Sequence, residues 1–458
     1  MTTNCEFLQN ELLDVARLFK TRPFELTHTF RYENGVFFND FTVDGKSHSF
    51  TDTRTPKDEI EYKRLERRYA KLGLYAILSE LYNEKMPWGA LTGIRPTKLA
   101  YMELEEGRDY RELFRQMQVS KENTDLVQAV LEAQRGIYER KDGNTDLFVS
   151  LPFCPTKCAY CSFITAPIDK TRHFLEPYLT ALEREAEGAK KLIGKLRSIY
   201  VGGGTPFALS AEELDRVLKP FDSISGSVEY TVEAGRPDVF TDEKLRVLKE
   251  HGVTRICINP QTFSEQTLVA IGRKHTVEDV YRAFEMIEKY DFDVNVDLIA
   301  GLEGENVETF LNGVEKAIQT NADNITVHFL SLKSGAKLKE ECSYLENDEI
   351  GEMILGSRKL LAGAGYAPYY MYRQKYQAGN NENVGWTKPN KACVYNVDIM
   401  EEIADNLAIG ANAVSKRVYT NENRIERFAS QKDLKTYLEK IDEIIEKKEK
   451  FFTKSSSI

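Results

Sequence analysis

Apolar and polar positions along this chain follow two textures that meet at Gly143-Asn144. In the first, ELTHTFRY and GVFFNDFTVDG alternate with a period of two, which predicts half-buried strands, and Glu33-Asn34-Gly35 supplies the turn residues of a small antiparallel sheet. Apolar residues then recur at helical spacing from Glu59 to Tyr82, before the loop MPWGALTGIRPTK and more helix to about Arg140. From Asp146 onward six short strand-like runs (DLFVSL, RSIYVG, VEYTVEA, TRICIN, DVNVDLIA and NITVHFL) are separated by helical patterns. Ser210-x-x-Glu213 spells a capping box, and Thr276 precedes the helical run VEDVYRAFEMIEKY. Strand–helix alternation predicts a parallel sheet, and six such units predict an incomplete (β/α)6 barrel; an open doubly wound sheet would share the pattern.

Beyond Glu341 a helical run extends to about Leu361, followed by GYAPYYMYRQKYQAGNNENVGWTKPNK, a short α/β segment and a charged helix with a frayed tail. The chain is therefore α/β throughout. An N-terminal α/β domain over 1–143 and a partial barrel over 144–341 precede a small C-terminal α/β extension over 342–458. No repeat of fixed sequence is present.

Composition narrows the class. At 458 residues, 41% apolar and 29% charged, the chain can bury a sizeable core and has the balance of a globular protein. A formal charge of -10, with Lys and Arg scattered among the acids, argues against a nucleic-acid partner, which requires a basic patch or stripe. No apolar run approaches the roughly 20 residues of a membrane span. The acidic start MTTNCEFLQNELLD lacks the features of a signal peptide, so a cytoplasmic location is expected. Seven irregularly placed cysteines fit a reducing compartment better than a disulfide framework; Cys257, within RICIN, reads as a small buried hydrophobe.

Three of those cysteines, Cys154, Cys158 and Cys161, share the run CPTKCAYC directly after the first barrel strand. Structural zinc and ordinary iron–sulfur clusters usually take four protein ligands, so three leave a metal position open to a non-protein ligand. A Cys3His zinc site completed by His173, or three free thiols, are the alternatives on spacing alone. The second strand ends in Gly202-Gly203-Gly204-Thr205-Pro206, where glycines allow close approach of backbone to a carboxylate or amine and expose N–H groups. Polar residues recur at later strand ends: Glu233, Asn259, Gln261, Asp297 and His328, with Arg273 further along. Together they would line the C-terminal rim, where barrel enzymes keep their chemistry.

With these residues assembled the chain resembles the radical S-adenosylmethionine (SAM) superfamily: CPTKCAYC is similar to its cluster loop and GGGTP to its motif for the SAM amino group. Over roughly residues 145–420 it resembles the oxygen-independent coproporphyrinogen III oxidase group, through LPFCPTKCAYCSF, IYVGGGTP, TVEAGRPD, INPQTF with GRKHT, and VDLIAGLEGE. PWGALTGIRPTKL, VEAGRPD and YYMYRQKYQAGNNENVGW resemble the coproporphyrinogen dehydrogenase branch called HemZ.

The resemblance implies a radical SAM barrel in which Cys154, Cys158 and Cys161 hold a [4Fe-4S] cluster whose fourth iron is chelated by SAM. It implies aromatic packing from Phe148 and Tyr160, contacts to the SAM methionine end from Gly203, Gly204 and Thr205, and SAM binding by Glu233, Gln261, Arg273 and Asp297. Val327 would contact SAM through its backbone. In the oxidase a 5′-deoxyadenosyl radical takes hydrogen from a propionate β-carbon, and loss of CO2 and one electron leaves a vinyl group; two rounds give protoporphyrinogen IX. The implied partners are a tetrapyrrole substrate and an electron donor such as flavodoxin or ferredoxin.

Arg373 and Lys375 are candidate partners for substrate carboxylates, with a solvated basic turn as the plainer alternative. Tyr369, Tyr370 and Tyr372 either stack on a tetrapyrrole or form a core stripe. Phe148 replaces a tyrosine of the oxidase, and Phe163 stands where that oxidase has a fourth cysteine, which the related heme-chaperone branch also lacks. A heme-binding chaperone and a radical SAM methyltransferase that opens heme are therefore the alternative functions. Residues 1–140 would cap the barrel, recognise substrate or dock a reductase.

Overall fold

The computed structural model describes residues 1–19, 24–93, 95–161, 166–226, 228–330, 347–374, 381–422 and 424–454. They form two compact units, Met1–Gln128 with Tyr372–Glu382, and Ala129–Met371 with Asn383–Ile458.

The first unit carries a sheet in the order β1 (Thr2–Thr3), β2 (Leu26–Glu33), β3 (Val36–Val43), β4 (Lys46–Asp52). Strands β2 and β3 pair antiparallel with Glu33 opposite Val36, which leaves Asn34-Gly35 as a two-residue turn. Both turn residues have left-handed φ, 51° and 81°, as a twist-matched hairpin turn requires. The helix Glu59–Tyr82 starts on Asp58, whose side chain accepts from the Glu61 N–H, and ends at Asn83 in the left-handed region. Its Gly73 lets the helix approach the sheet closely: a Cβ there would stand 2.6 Å from the Phe41 ring.

The second unit contains all six strands expected from the sequence: β5 (Asn144–Leu151), β8 (Lys195–Gly203), β9 (Glu229–Gly235), β10 (Arg255–Gln261), β11 (Asp293–Ala300) and β12 (Asn324–Phe329). Between the first two lies a minimal parallel pair, β6 (Phe153–Cys154) with β7 (Ala166–Pro167). The six run parallel in sequential order. The helices between them start as the sequence predicts, with a capping box at Ser210 and Glu213 and the Thr276 side chain accepting from the Asp279 N–H.

Segments after residue 363 extend this sheet at both edges. β13 (Ala367–Tyr372) and β14 (Asn383–Thr387) lie beyond β12, with β14 antiparallel to it. β15 (Asp405–Ile409) runs parallel to β5 and leads into the antiparallel β16 (Val414–Tyr419) and β17 (Arg424–Ala429). Among the described residues the sheet thus has eleven strands, with β13 and β17 at its ends. This is an incomplete barrel with the C-terminal segment built into its sheet.

Alternation along each strand separates two environments. Leu147, Val149, Ile199, Val201, Val232, Ile256 and Ile258 pack against Leu175, Leu179, Leu214, Leu245 and Leu248 of the helices. The intervening residues present Phe148, Tyr200, Glu233, Cys257, Asn259 and Asp297 to the opposite face. Deep on that face Arg255 lies 3.2 Å from Glu229 and 3.1 Å from Asp293, and donates to Asn295 Oδ1 at 2.8 Å. A buried guanidinium is tolerated only with such compensation.

Tyr369 and Tyr370 are buried, and the Tyr370 ring fills the space that Gly385 leaves: a Cβ there would lie 1.9 Å from a ring carbon. Among the described residues, no helix is long and apolar enough to cross a membrane.

Candidate functional site

The site grows from the ends of the parallel strands. Cys154 closes β6, and its Sγ receives the Thr205 hydroxyl at 3.5 Å. Burial pushes the Cys154 thiol up to about 11, and the neighbouring Cys161 and Cys158 push in the same direction. The loop continues through a turn in which Cys161 N–H donates to Cys158 O at 3.1 Å, and Ala159 N–H donates to Ile271 O at 3.1 Å. Tyr160 lies between those last two cysteines, and its hydroxyl accepts from Arg273 Nη2 at 2.8 Å. Arg273 Nη1 also donates to the Asn259 carbonyl. His173, the candidate fourth zinc ligand, is exposed and packs on Phe174 at 4.2 Å.

The amides of the glycine run are turned inward rather than exposed. Gly204 N–H donates to Leu151 O at 2.8 Å and Thr205 N–H to Phe153 O at 2.7 Å, while Gly203 N–H serves the Glu233 carboxylate. These amides are occupied inside the protein, so what the run offers an incoming group is the Glu233 carboxylate it supports. That chemistry suits a cationic amino group. Glycine is required because a Cβ on Gly204 would lie 2.4 Å from Phe153 O, and one on Gly202 would lie 2.7 Å from Glu233 Oε2.

Glu233 sits at the centre. Tyr200 donates its hydroxyl to Glu233 Oε1 at 2.6 Å. Burial raises the carboxyl to about 7, the Tyr200 hydrogen bond opposes that rise, and the charge of Asp297 adds to it. Tyr200 stacks on Tyr395 at 4.3 Å and on Phe148 at 6.2 Å, and Phe148 meets Tyr395 at 6.2 Å. Cys257 is buried as expected, yet it lies 4.0 Å from the Tyr200 hydroxyl, on the polar face and not among the apolar side chains behind the sheet.

On the following strands, Asn259 with its amide nitrogen turned toward Asp297 lies 3.2 Å from Oδ2, and Asp297 Oδ1 is 3.5 Å from His328 Nε2. Gln261 is 8% exposed, holds a left-handed φ of 71°, and its Oε1 is buried without a partner. A non-glycine residue in that region carries about 1–3 kcal/mol of strain. Arg273 Nε is likewise buried and unpartnered.

Val327 pairs with Leu298 and Val384 through its backbone, and its side chain is buried. Contacts therefore link the three cysteines, Tyr160, Thr205 and Arg273 on one side and Gly203, Glu233, Asn259 and Asp297 on the other. Sequence reasoning missed Tyr200 and Tyr395. Tyr200 was findable, since it stands two residues before Gly202 and so shares its face; Tyr395, from a distant helix, carries no such signal.

Arg373 belongs to the first unit, where it is 4% exposed, donates to the carbonyls of Leu91 and Gly93, and lies over the Trp88 ring at 5.1 Å. Burial lowers it to about 9. Of the two readings of this residue, the solvated basic turn does not hold for Arg373, which is buried and anchors the PWGALTG loop. Lys375 and Phe163 lie outside the described residues.

Whether these residues suit a cluster with SAM can be tested on the donors themselves. A cubane takes its protein thiolates on separate irons and leaves one iron open, which matches three cysteines on one loop, where Cys161 N–H bonds Cys158 O and the Thr205 hydroxyl bonds Cys154. The unpartnered Gln261 Oε1 and Arg273 Nε supply polar atoms for a ligand, and the Glu233 carboxylate supplies a seat for an ammonium. The residues fit.

Residues 148–317 match the Radical SAM superfamily. The chain is 36% identical over 384 residues, 80% of this chain and 76% of the other, to the oxygen-independent coproporphyrinogen-III oxidase-like protein HemZ of Bacillus subtilis. The heme chaperone HemW of the same organism is 35% identical over 198 residues, 40% of this chain and 49% of that one. The solved structure of coproporphyrinogen III oxidase (HemN) from Escherichia coli, a radical SAM enzyme, shares the fold with a TM-score of 0.53 at 22% identity, over 69% of this chain and 72% of that one.

Proposed function

From the premise that the chain belongs to the radical SAM superfamily, within its oxygen-independent coproporphyrinogen III oxidase-like group, we propose that it oxidatively decarboxylates two propionates of coproporphyrinogen III to vinyl groups. The observation that carries this reading is the extent of the likeness to HemZ. It runs over 384 residues, whereas the barrel common to the superfamily accounts for residues 148–317. The family's cofactors are a [4Fe-4S] cluster and SAM, which when bound supply one-electron hydrogen-abstraction chemistry.

The chain's own residues have separable tasks. Cys154, Cys158 and Cys161 are the thiolate donors. Glu233, once ionised, accepts the ligand ammonium beside Gly203 and Gly204, and Tyr200 fixes the orientation of that carboxylate at 2.6 Å. Gln261 and Arg273 offer their unpartnered atoms, Asp297 a second carboxylate, and Phe148 and Tyr160 the apolar walls. Packed aromatics on this face exclude water from a reactive centre. An external one-electron donor protein, of the flavodoxin or ferredoxin kind, supplies the reducing electron.

Reconstituted, reduced protein given SAM and coproporphyrinogen III under anoxia is expected to release CO2 and form vinyl product, read by mass spectrometry. Methionine formation with the porphyrinogen untouched would reject the proposal. The likeness to HemW supports a second reading, a heme-binding chaperone. Tight heme binding and transfer to an apo-hemoprotein, with no turnover of porphyrinogen, would select it.

A further inference from the structure

The cysteine loop is gripped from two strand ends. On the β10 side Arg273 reaches Tyr160, between the second and third cysteines. On the β9 side Arg236 Nη1 donates to Thr156 Oγ1 at 2.5 Å, between the first and second. Arg236 is 2% exposed, and Asp238 accepts from its Nε at 2.9 Å and from its Nη2 at 2.6 Å. With that face of the fork fixed by one carboxylate, the remaining nitrogen has a fixed direction, toward Thr156.

Thr156 stands two residues from both Cys154 and Cys158, so the guanidinium that grips it places its charge beside the segment that carries the sulfurs. A buried imidazole stands near the same charges. His275 is 2% exposed and both its ring nitrogens are buried without a partner. Burial first, then the charges of Arg273 and Arg236 against those of Asp238 and Asp279, hold it down at about 4. Two guanidiniums, Arg273 and Arg236, thus hold the loop from either side, and Asp238 offsets part of their charge.

We propose that Arg236 is a positioning residue of the cysteine loop whose fixed charge also raises the reduction potential of the cluster held there. The inference rests on Cys154, Cys158 and Cys161 being the ligands. Reduction adds one electron from an external donor, and a nearby cation favours the more negative form. Arg273 supplies a comparable charge, but it contacts the SAM side of the site; Arg236 touches only the loop and its own carboxylate partner among the hydrogen bonds described.

The test is an anoxic redox titration of reconstituted protein followed by electron paramagnetic resonance, with iron and sulfide content measured first. Arg236→Gln is expected to load normally and to lower the midpoint. The reduced-to-oxidised ratio at fixed potential falls about tenfold, which is ~59 mV for a one-electron couple. Arg236→Lys, which restores the charge without the fork, is expected to recover most of that shift. A fully loaded Arg236→Gln protein with the wild-type midpoint overturns the proposal. If Arg236→Gln takes up no iron, Thr156→Val decides: an altered resonance line shape or slower reconstitution supports the anchoring role, and an unaltered protein overturns it. If the unsubstituted protein itself takes up no iron, the ligand assignment fails, an outcome distinct from failure of the Arg236 inference.

Discussion

Glu233 offers the sharpest quantitative prediction. In the free protein its carboxyl is raised by burial to about 7, so near neutral pH it is divided between neutral and ionised forms. A ligand ammonium pairs with the ionised form alone, and binding must expel the proton when one is present. The sign follows: affinity falls as pH falls. With a pKa of about 7, the ionised fraction drops about 25-fold between about pH 7.5 and about pH 5.5. That ratio is the upper limit, since a neutral carboxyl still offers a weaker hydrogen bond. The window stops near pH 7.5 because an α-amino group itself titrates at about 7.7–8.0. Glu233→Gln removes a charge-assisted hydrogen bond worth about 1.5–3 kcal/mol, which is roughly 10- to 150-fold in SAM affinity. It also removes the titration. Calorimetry of SAM binding in two buffers of different ionisation enthalpy is the assay, because it counts protons as well as affinity. Wild-type protein should release a proton on binding at about pH 6, and Glu233→Gln should not. Equal pH slopes for the two proteins would refute the assignment of Glu233 as the ammonium acceptor.

Tyr200→Phe deletes the 2.6 Å donor that opposes the effect of burial on Glu233, so the midpoint of the binding profile should move to higher pH while the fold is retained. Gly204→Ala places a methyl 2.4 Å from Phe153 O and 2.6 Å from Leu151 O, backbone atoms that cannot step aside. A loss of about 1–3 kcal/mol in denaturant unfolding is expected, together with loss of SAM binding. Cys158→Ala should abolish iron uptake and the visible charge-transfer absorbance on anoxic reconstitution, with an unchanged far-ultraviolet spectrum; full iron content would contradict the ligand assignment. Glu305 is buried, bonded to Thr262, and raised by burial to about 7. A carboxyl raised in the folded state stabilises most below its unfolded value and loses that contribution as pH rises toward 7. Glu305→Gln should therefore raise stability at about pH 8 by roughly 1–3 kcal/mol, with no gain at about pH 4; a gain independent of pH would contradict the cause.

Short-range physics was legible in the chain itself. The hairpin at Asn34-Gly35, the helix from Glu59 to Tyr82, the caps at Ser210 and Thr276, and the six parallel strands each follow from a few adjacent residues, because backbone preference and side-chain period act over a single turn or strand. The cysteine spacing and the glycine run belong to the same class. Tertiary structure alone decided which groups meet: Tyr200 with Glu233, Tyr160 with Arg273, Thr156 with Arg236. It also decided that residues 405–409 extend the sheet beside β5 while 383–387 extend it beside β12. Those partners lie 33 to more than 100 residues apart, and no local rule connects them. A parallel sheet of fixed register brings their strand ends onto one rim, where burial gives Glu233 its proton and the Asp238 carboxylate gives Arg236 its direction.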